Sequence, residues 1–368
     1  MLAKRRMDEY YMRRALSLAW RGTDSTRPNP KVGCVLVREG RVIGEGYHAC
    51  CGEDHAEVAA LNDAAGRGES AKGSTAYVTL EPCSHFGKTP PCAPRLAEEG
   101  VTRVVVGSTD PNPKVRGAGL EILKNAGVEV VMPCLEKECK WLNRGFIRSK
   151  VLNRPWVTLK AAAGLDGRMA VFSGDSKWIT GETARRWAHL MRAEHDGVLV
   201  GIGTVLADDP ELTVRHACGR NPLRIILDTE LSLPPTARVL SGGCLVLTSS
   251  DDEEKKHLLE RSGAEICTIP GSDGRVDLNA ALRELAGRNV QSLMVEGGAR
   301  VLSAFIEAGL SDALALFSSA SLMGEGHGLG EGIRLQSMRD IVRLREFRVR
   351  RAGKDSLLEG IFQCSPAL

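Results

Sequence analysis

Aromatic residues make up only 4% of the 368-residue chain, and 49 Lys+Arg against 46 Asp+Glu leave a formal net charge of only +3. A chain that binds nucleic acid carries a strongly basic footprint, often with aromatic stacking platforms. Both shortages therefore favour small-molecule chemistry and no nucleic-acid partner. No apolar stretch approaches the ~20 residues of a membrane span, so no membrane association is expected. The opening MLAKRRMDEYYMRRALSLAW is basic but has neither the apolar core nor the small-residue cleavage site of a secretory signal, which makes the cytoplasm the expected location. Fixed-period repeats and low-complexity tracts are absent, which sets aside solenoid and disordered readings. A G-x-G-x-x-G phrase between a strand and a helix is also missing, which disfavours a Rossmann domain. The 11 cysteines are odd in number and lack a framework spacing, so thiols rather than disulfides are expected. Cys34, Cys244 and Cys267 lie in apolar runs and read as small buried hydrophobes.

What is present is an ordinary globular composition, 43% hydrophobic and 26% charged, in a chain longer than one core usually grows. Two domains follow. In the first half, Glu9–Arg21 has helical spacing, 32–37 and 42–47 read as strands across an EGR turn, and His55–Ala65 reads as a helix. Strand Thr75–Leu80, helix Pro94–Glu99, strand Val101–Val106, helix Gly119–Asn125 and strand Val128–Met132 complete a layered α/β unit with a mixed or parallel sheet. Between Pro133 and Arg154 the pattern changes to a charged helix ending near Gly145, which sets the boundary between domains 1–147 and 148–368. Beyond it WVTLKAA, GVLVGIG, LRIILD, CLVLTS, EICTIP and SLMVEGG read as strands between helical stretches such as Thr183–Ala193 and Ala299–Ala308, a second α/β domain.

Two phrases carry chemistry. HAEVAAL at 55–61 and EPCSHFGKTPPC at 81–92 supply His55, Cys83 and Cys92, the one-imidazole, two-thiolate set that catalytic zinc uses when a fourth position is left for water. Glu57, two residues after the histidine, is the candidate proton shuttle. Zinc deaminases of nucleobases carry H-x-E followed by P-C-x-x-C, with the glutamate outside the metal shell. Here the second cysteine follows nine positions after the first, so the sulfurs cannot share one helical turn, and a loop stiffened by Pro90 and Pro91 must bring them together. His85 is a rival ligand on that loop and is better placed as a substrate contact. Zn²⁺ held by such a set lowers the pKa of its water, and a glutamate beside it carries protons to a ring nitrogen and a leaving amine. A nucleic-acid-editing deaminase with a C-terminal binding module, and a zinc-stabilised structural protein, are the rival classes. Low charge and few aromatics oppose the first, and the presence of Glu57 opposes the second.

In order, DEYYMRRALSLA, RPNPKVGCVLV, GEGYH, HAEVAAL, AYVTLEPCSHFGKTPPC and DPNPKVRGAGL resemble the deaminase half of the bifunctional riboflavin-pathway deaminase/reductase family (RibD), in which the long cysteine loop is the normal form. The resemblance continues through LKAAAGLDGRMA, SGDSKWITG, TVLADDPELTVR and VEGG and covers nearly the whole chain. It implies a cytidine-deaminase-like α/β/α layered N-terminal domain that removes the C2 amino group of 2,5-diamino-6-(5-phosphoribosylamino)pyrimidin-4-one, with Asn29 holding substrate. It further implies a dihydrofolate-reductase-like α/β C-terminal domain that passes hydride from NADPH to ribosyl C1′ of the product. Ala163, Trp178, Thr204, Asp208, Thr229 and the turn Gly298, Ala299, Arg300, Val301, Leu302, Ser303, Ala304 would line the NADPH site. Ser176, Arg192, Leu212, Arg215 and Glu296 would contact substrate. A homo-oligomer, dimer or tetramer, is implied as well.

The physics of these positions leaves alternatives open. VEGGARVLSAF is an apolar strand, two glycines and a helix, which cradles a phosphate or serves tight packing. Arg192 and Arg215 offer forked donors to a phosphate or solvate a surface. Trp178 reads by default as a core tryptophan, and Asp208 and Asp209 before Pro210 as turn residues. After SDALALF the family usually continues with a proline-containing strand, whereas this chain has the glycine-rich SSASLMGEGHGLGEGI, a departure that bears on closure of the reductase site.

Overall fold

The computed structural model describes residues 2–87, 89–112 and 115–368. It divides into two compact units, one running to Asn153 and the other from Arg154 to Ala367. The first contains α1 (Leu2–Ala19), β1 (Gly33–Arg38), β2 (Arg41–Tyr47), α2 (Ala56–Gly66), β3 (Thr75–Leu80), α3 (Cys92–Glu98), β4 (Arg103–Ser108), α4 (Ala118–Asn125), β5 (Glu129–Val131), α5 (Glu136–Leu142) and α6 (Arg144–Leu152). The charged segment after Pro133 is thus two helices broken at Asn143, and the second continues past Gly145 to the end of the unit.

The five-stranded sheet has the order β2-β1-β3-β4-β5, antiparallel at β2-β1-β3 and parallel from β3 to β5. Side chains alternate between its faces because a strand repeats every two residues. Cys34, Leu36, Ala76, Val78, Val104 and Val106 form one core with α2, α3 and α4. Val35, Val37, Tyr77 and Val105 form the other with α1 and α5, giving an α/β/α sandwich. Helix α1 is also tied by charge: Arg103 donates two 2.8 Å hydrogen bonds to the Asp8 carboxylate, which accepts a third from the Tyr77 hydroxyl at 3.1 Å. Helix α2 lies close on β2 because Gly44 and Gly46 have no side chain there. A Cβ on either would fall 2.3–2.4 Å from the backbone of Ala60.

The second unit contains β6 (Trp156–Ala163), α7 (Glu182–Glu194), β7 (Gly197–Gly201), α8 (Ile202–Asp208), β8 (Leu223–Leu227), β9 (Cys244–Thr248), α9 (Glu253–Arg261), β10 (Ala264–Thr268), α10 (Leu278–Gly287), β11 (Ser292–Val295), α11 (Ala299–Glu307), β12 (Ala313–Ser318), β13 (Leu344–Ala352) and β14 (Asp355–Phe362). Nine strands run in the order β10-β9-β8-β7-β11-β6-β12-β14-β13, parallel from β10 to β12 and antiparallel over the last hairpin. The same two-residue alternation sends Leu199, Ile225, Leu245 and Leu293 to one core and Val198, Ile226, Val246 and Met294 to the other. Hairpin β13–β14 has no counterpart in the sequence reading, since β13 alternates arginine with apolar residues that are exposed on both faces. Cys34 and Cys244 are buried as expected, Cys267 is half-buried, and none of the described cysteines is disulfide-bonded.

The glycine-rich segment 319–333 is pinned rather than loose. Asp166 accepts the N–H groups of Met323 and Gly324, Arg168 donates to the Gly326 carbonyl, and backbone bonds join Leu165 to Ser321 and Met169 to His327. Among the described residues no helix is long and apolar enough to cross a membrane.

Candidate functional site

In the first unit the expected metal ligands converge. His55 immediately precedes α2, Cys83 follows β3 and Cys92 opens α3 behind Pro91. His55 Nδ1 lies 3.5 Å from Cys83 Sγ and 3.4 Å from Cys92 Sγ, and the three donor atoms fall within 4.8 Å of one another. Bond lengths of about 2.0–2.3 Å in a tetrahedral zinc site require donors roughly 3.5–3.8 Å apart, so this soft, two-sulfur set fits zinc. The long loop solves the spacing: Ala93 N–H donates to the Cys83 carbonyl at 3.1 Å, and Cys92 N–H donates to Cys83 Sγ at 3.2 Å. Hydrogen bonding from the Cys92 thiol, the His55 ring and this backbone amide draws the Cys83 thiol down to about 4, and Cys92 is pushed up by its bond to Cys83 and by burial. His85 is exposed on the loop, outside the donor group.

Glu57 sits in the first turn of α2, buried, with its carboxyl hydrogen-bonded to Cys92. Burial and the Cys83 sulfur raise it to about 7, poised both to take and to give a proton. Asn29 meets a residue that the sequence reading did not single out, although it quoted GEGYH. Buried His48 bonds through Nδ1 to the Asp54 carbonyl at 3.0 Å and through Nε2 to Asn29 Nδ2 at 3.1 Å. A carbonyl only accepts, so Nδ1 carries the proton and Nε2 accepts from the amide. The Asn29 carboxamide is thereby oriented, and the His48 ring packs edge-on against His55 with centroids 5.3 Å apart. Glu81, buried before Cys83, accepts the N–H groups of Asp110 at 3.2 Å and Gly117 at 2.7 Å. That bond pair holds Asp110 and Gly117 against the metal-ligand turn.

The reductase-type residues gather at the C-terminal ends of β6, β7, β8 and β11, where parallel α/β sheets place their ligands. Ala163 ends β6, Thr204 lies in the first turn of α8, Thr229 follows β8, and Glu296 to Gly298 link β11 to α11. Gly297–Gly298 is a cis peptide, and the Gly297 carbonyl accepts Gly201 N–H at 3.0 Å. Leu302 and Ser303 are buried, Val301 and Ala304 are half-buried, and Arg300 is exposed. Leu212 is also a core side chain, with φ 53°. Ser176 is half-buried in the loop before α7, and Asp208 pairs with Lys177 Nζ at 2.9 Å.

Two defaults of the sequence reading are overturned. Trp178 is 72% exposed, with the Arg185 guanidinium 4.5 Å from its ring centroid. Arg192 is not a solvated surface residue: it forks onto Glu296 at 2.6 and 3.0 Å and donates to the Thr213 carbonyl at 2.7 Å. Arg215 is exposed and pairs with Glu211 at 2.9 Å. The sequence reading missed Lys160, whose Nζ lies 3.8 Å from Glu296. Its signal was a lone lysine inside the apolar strand WVTLKAA. Burial alone would raise the Glu296 carboxyl, but Arg192 and then Lys160 outweigh it and bring the group down to about 2. Lys160 is pushed below its ordinary value by burial, against the pull of Glu296.

Comparison with known proteins assigns each unit to a domain family. Residues 5–108 match the cytidine and deoxycytidylate deaminase zinc-binding region, and residues 155–358 match the RibD C-terminal domain. The riboflavin biosynthesis protein RibD of Aquifex aeolicus (strain VF5) is 42% identical over 96% of this chain and 98% of its own length. Acinetobacter baumannii RibD superposes with a TM-score of 0.87 at 39% identity, covering 98% of this chain and 99% of that one. The Thermotoga maritima diaminohydroxyphosphoribosylaminopyrimidine deaminase/5-amino-6-(5-phosphoribosylamino)uracil reductase does so at 0.85 and 38%, covering 98% and 99%. With a zinc-type donor set in one unit and a reductase-type cluster in the other, the chain belongs to the RibD family of bifunctional riboflavin-biosynthesis enzymes, zinc-dependent deaminase and NADPH-dependent reductase in one polypeptide.

Proposed function

We propose that the first unit hydrolyses the C2 amino group of 2,5-diamino-6-(5-phosphoribosylamino)pyrimidin-4-one and that the second reduces the ribosyl group of the product to ribityl. The observation that carries this reading is the convergence of His55, Cys83 and Cys92 beside the buried carboxyl of Glu57. Zinc held by those three side chains would supply the Lewis acidity that makes water a nucleophile near neutral pH. Glu57 then does the proton work: its carboxylate takes a proton from the attacking water and passes it to the ring nitrogen, then takes the second water proton from the new hydroxyl and passes it to the departing amine. Atoms balance as substrate plus water giving carbonyl product plus ammonia. Asn29, oriented by His48, fixes the pyrimidine edge.

In the second unit NADPH would supply the hydride to C1′. As the C1′–O4′ bond opens, O4′ must gain a proton, and half-buried Lys160 is the acid within the cluster that supports this role. Glu296, neutralised by Arg192 and Lys160, orients the sugar hydroxyls, and exposed Arg215 offers its guanidinium to the phosphate. The backbone of Gly298, Ala299 and Arg300 at the start of α11 suits a cofactor phosphate, joined by Ala163, Thr204, Asp208 and Thr229. Trp178, exposed in the same loop as Ser176, fits a ring-stacking contact. A cytoplasmic location and a homo-oligomeric state belong to the same reading, the last checked by light scattering. The decisive test supplies purified zinc-loaded protein with the diaminopyrimidine and NADPH and follows ammonia, then NADPH absorbance. Ammonia release followed by substrate-dependent NADPH loss is expected. Absence of both signals would refute the reading, and ammonia alone would refute its second half.

A further inference from the structure

His189 lies on α7, one turn before Arg192, and has no part in either proposed step. It is buried, and its Nδ1 accepts the backbone N–H of Arg215 at 3.2 Å. Its ring packs edge-on against His216 with centroids 4.8 Å apart. The segment it touches is unusual. Leu212 stands in the left-handed region at φ 53°, which a leucine does not adopt by preference, so the surrounding structure must hold it there. Three hydrogen bonds from outside do so: Arg192 to the Thr213 carbonyl at 2.7 Å, Val214 N–H to Asn221 Oδ1 at 2.7 Å, and Arg215 N–H to His189. The last is the bond nearest the exposed Arg215 side chain.

We propose that His189 is a positioning residue of the reductase, whose Nδ1 clamps segment 212–216 on α7 and thereby sets where the Arg215 guanidinium meets the substrate phosphate. The inference rests on the reading of Arg215 as a substrate contact. Only neutral imidazole accepts at Nδ1, and the surroundings keep it neutral: burial, Arg192, His216 and Arg215 all disfavour a charge there, against Glu296 alone, and the ring is held down at about 4. With Nδ1 accepting, Nε2 carries the proton.

Asparagine places its side-chain oxygen where histidine places Nδ1, while leucine fills similar space with no acceptor. His189→Leu is therefore expected to raise KM for the deaminated phosphoribosyl substrate by about 5–10-fold, the worth of one hydrogen bond, with kcat and KM for NADPH near wild type. His189→Asn should restore it to within about twofold. Hydrogen exchange across 211–217 should quicken in the leucine variant and return in the asparagine variant, and retained kcat with wild-type KM for NADPH checks that the reductase unit folds in both variants. Equal KM in the wild type and both variants, or unchanged exchange in His189→Leu, overturns the clamp. A wild-type protein with no reductase turnover would instead overturn the function read for Arg215, while the exchange data still decide whether His189 holds the segment.

Discussion

Glu296 is the position where removing one charge has the largest calculable effect. Its carboxylate is buried between Arg192, at 2.6 and 3.0 Å, and Lys160, at 3.8 Å. Glu296→Gln keeps the shape and removes the charge, leaving two buried cations without their counter-ion. The fall from 4.5 to about 2 corresponds to about 3 kcal/mol of preference for the ionised form. An independent figure, ~4 kcal/mol for a charge pair near 4 Å at an effective dielectric near 20, agrees, as does the ~3–5 kcal/mol seen when one partner of a buried pair is lost. The variant should therefore lose about 3–5 kcal/mol, and its reductase unit should melt ~6–20 °C lower. Because the folded carboxyl titrates below its unfolded value, this stability is fully present above about pH 4.5 and is lost as pH falls towards 2. The gap between wild type and variant should close over that interval. Urea titration followed by hydrogen exchange of β6, β7 and β11 reads the unit directly, with ammonia release as the control for the other unit. An unchanged midpoint at neutral pH, or a gap that does not narrow in acid, would refute the reasoning.

The deaminase unit offers sharper chemical tests. Glu57→Gln is expected to retain full zinc, measured by atomic absorption, and to lose roughly 10²–10⁴-fold in ammonia release while still reducing supplied deaminated intermediate; wild-type deamination would remove Glu57 from proton transfer. In Cys83→Ser the zinc-to-protein ratio should fall well below one, and an unaltered ratio would mean that Cys83 is not a ligand. Gly119→Ala places a Cβ 1.9 Å from the Pro82 carbonyl, directly beside the Cys83 turn. Overpacking of ~1–3 kcal/mol should slow ammonia release by about tenfold or more, with reductase turnover spared; full deaminase activity would show that the turn can yield without cost.

Much of this protein is written locally. Cys34 to Val37 and Thr75 to Leu80 are short, near-continuous runs of apolar and β-branched residues, the composition that a sheet buried on both faces imposes, and both strands stand where those runs put them. HAE and PC bring a histidine to the start of one helix and a cysteine to the end of one strand, so the chemistry of the deaminase half was readable from residue types and short spacings. Helix α6 was not, because the run Asn143, Arg144, Gly145 reads as the end of the charged helix, whereas the chain turns at Asn143 and a second helix runs on through Gly145. Hairpin β13–β14 escaped notice for the opposite reason: arginines alternating with exposed apolar residues give no single buried face to read.

Sequence by itself thus determined the two α/β units, the four candidate deaminase residues and the family resemblance, since each depends on neighbours within a few positions. Tertiary structure alone decided the environments that set charge. Arg192 and Glu296 are far apart in the chain, as are Lys160 and Glu296, and only the parallel order β7-β11-β6 puts them in one buried cluster. Whether an arginine is solvated or locked to a carboxylate, and whether Trp178 is core or exposed, depends on desolvation by distant strands. No local spacing encodes that.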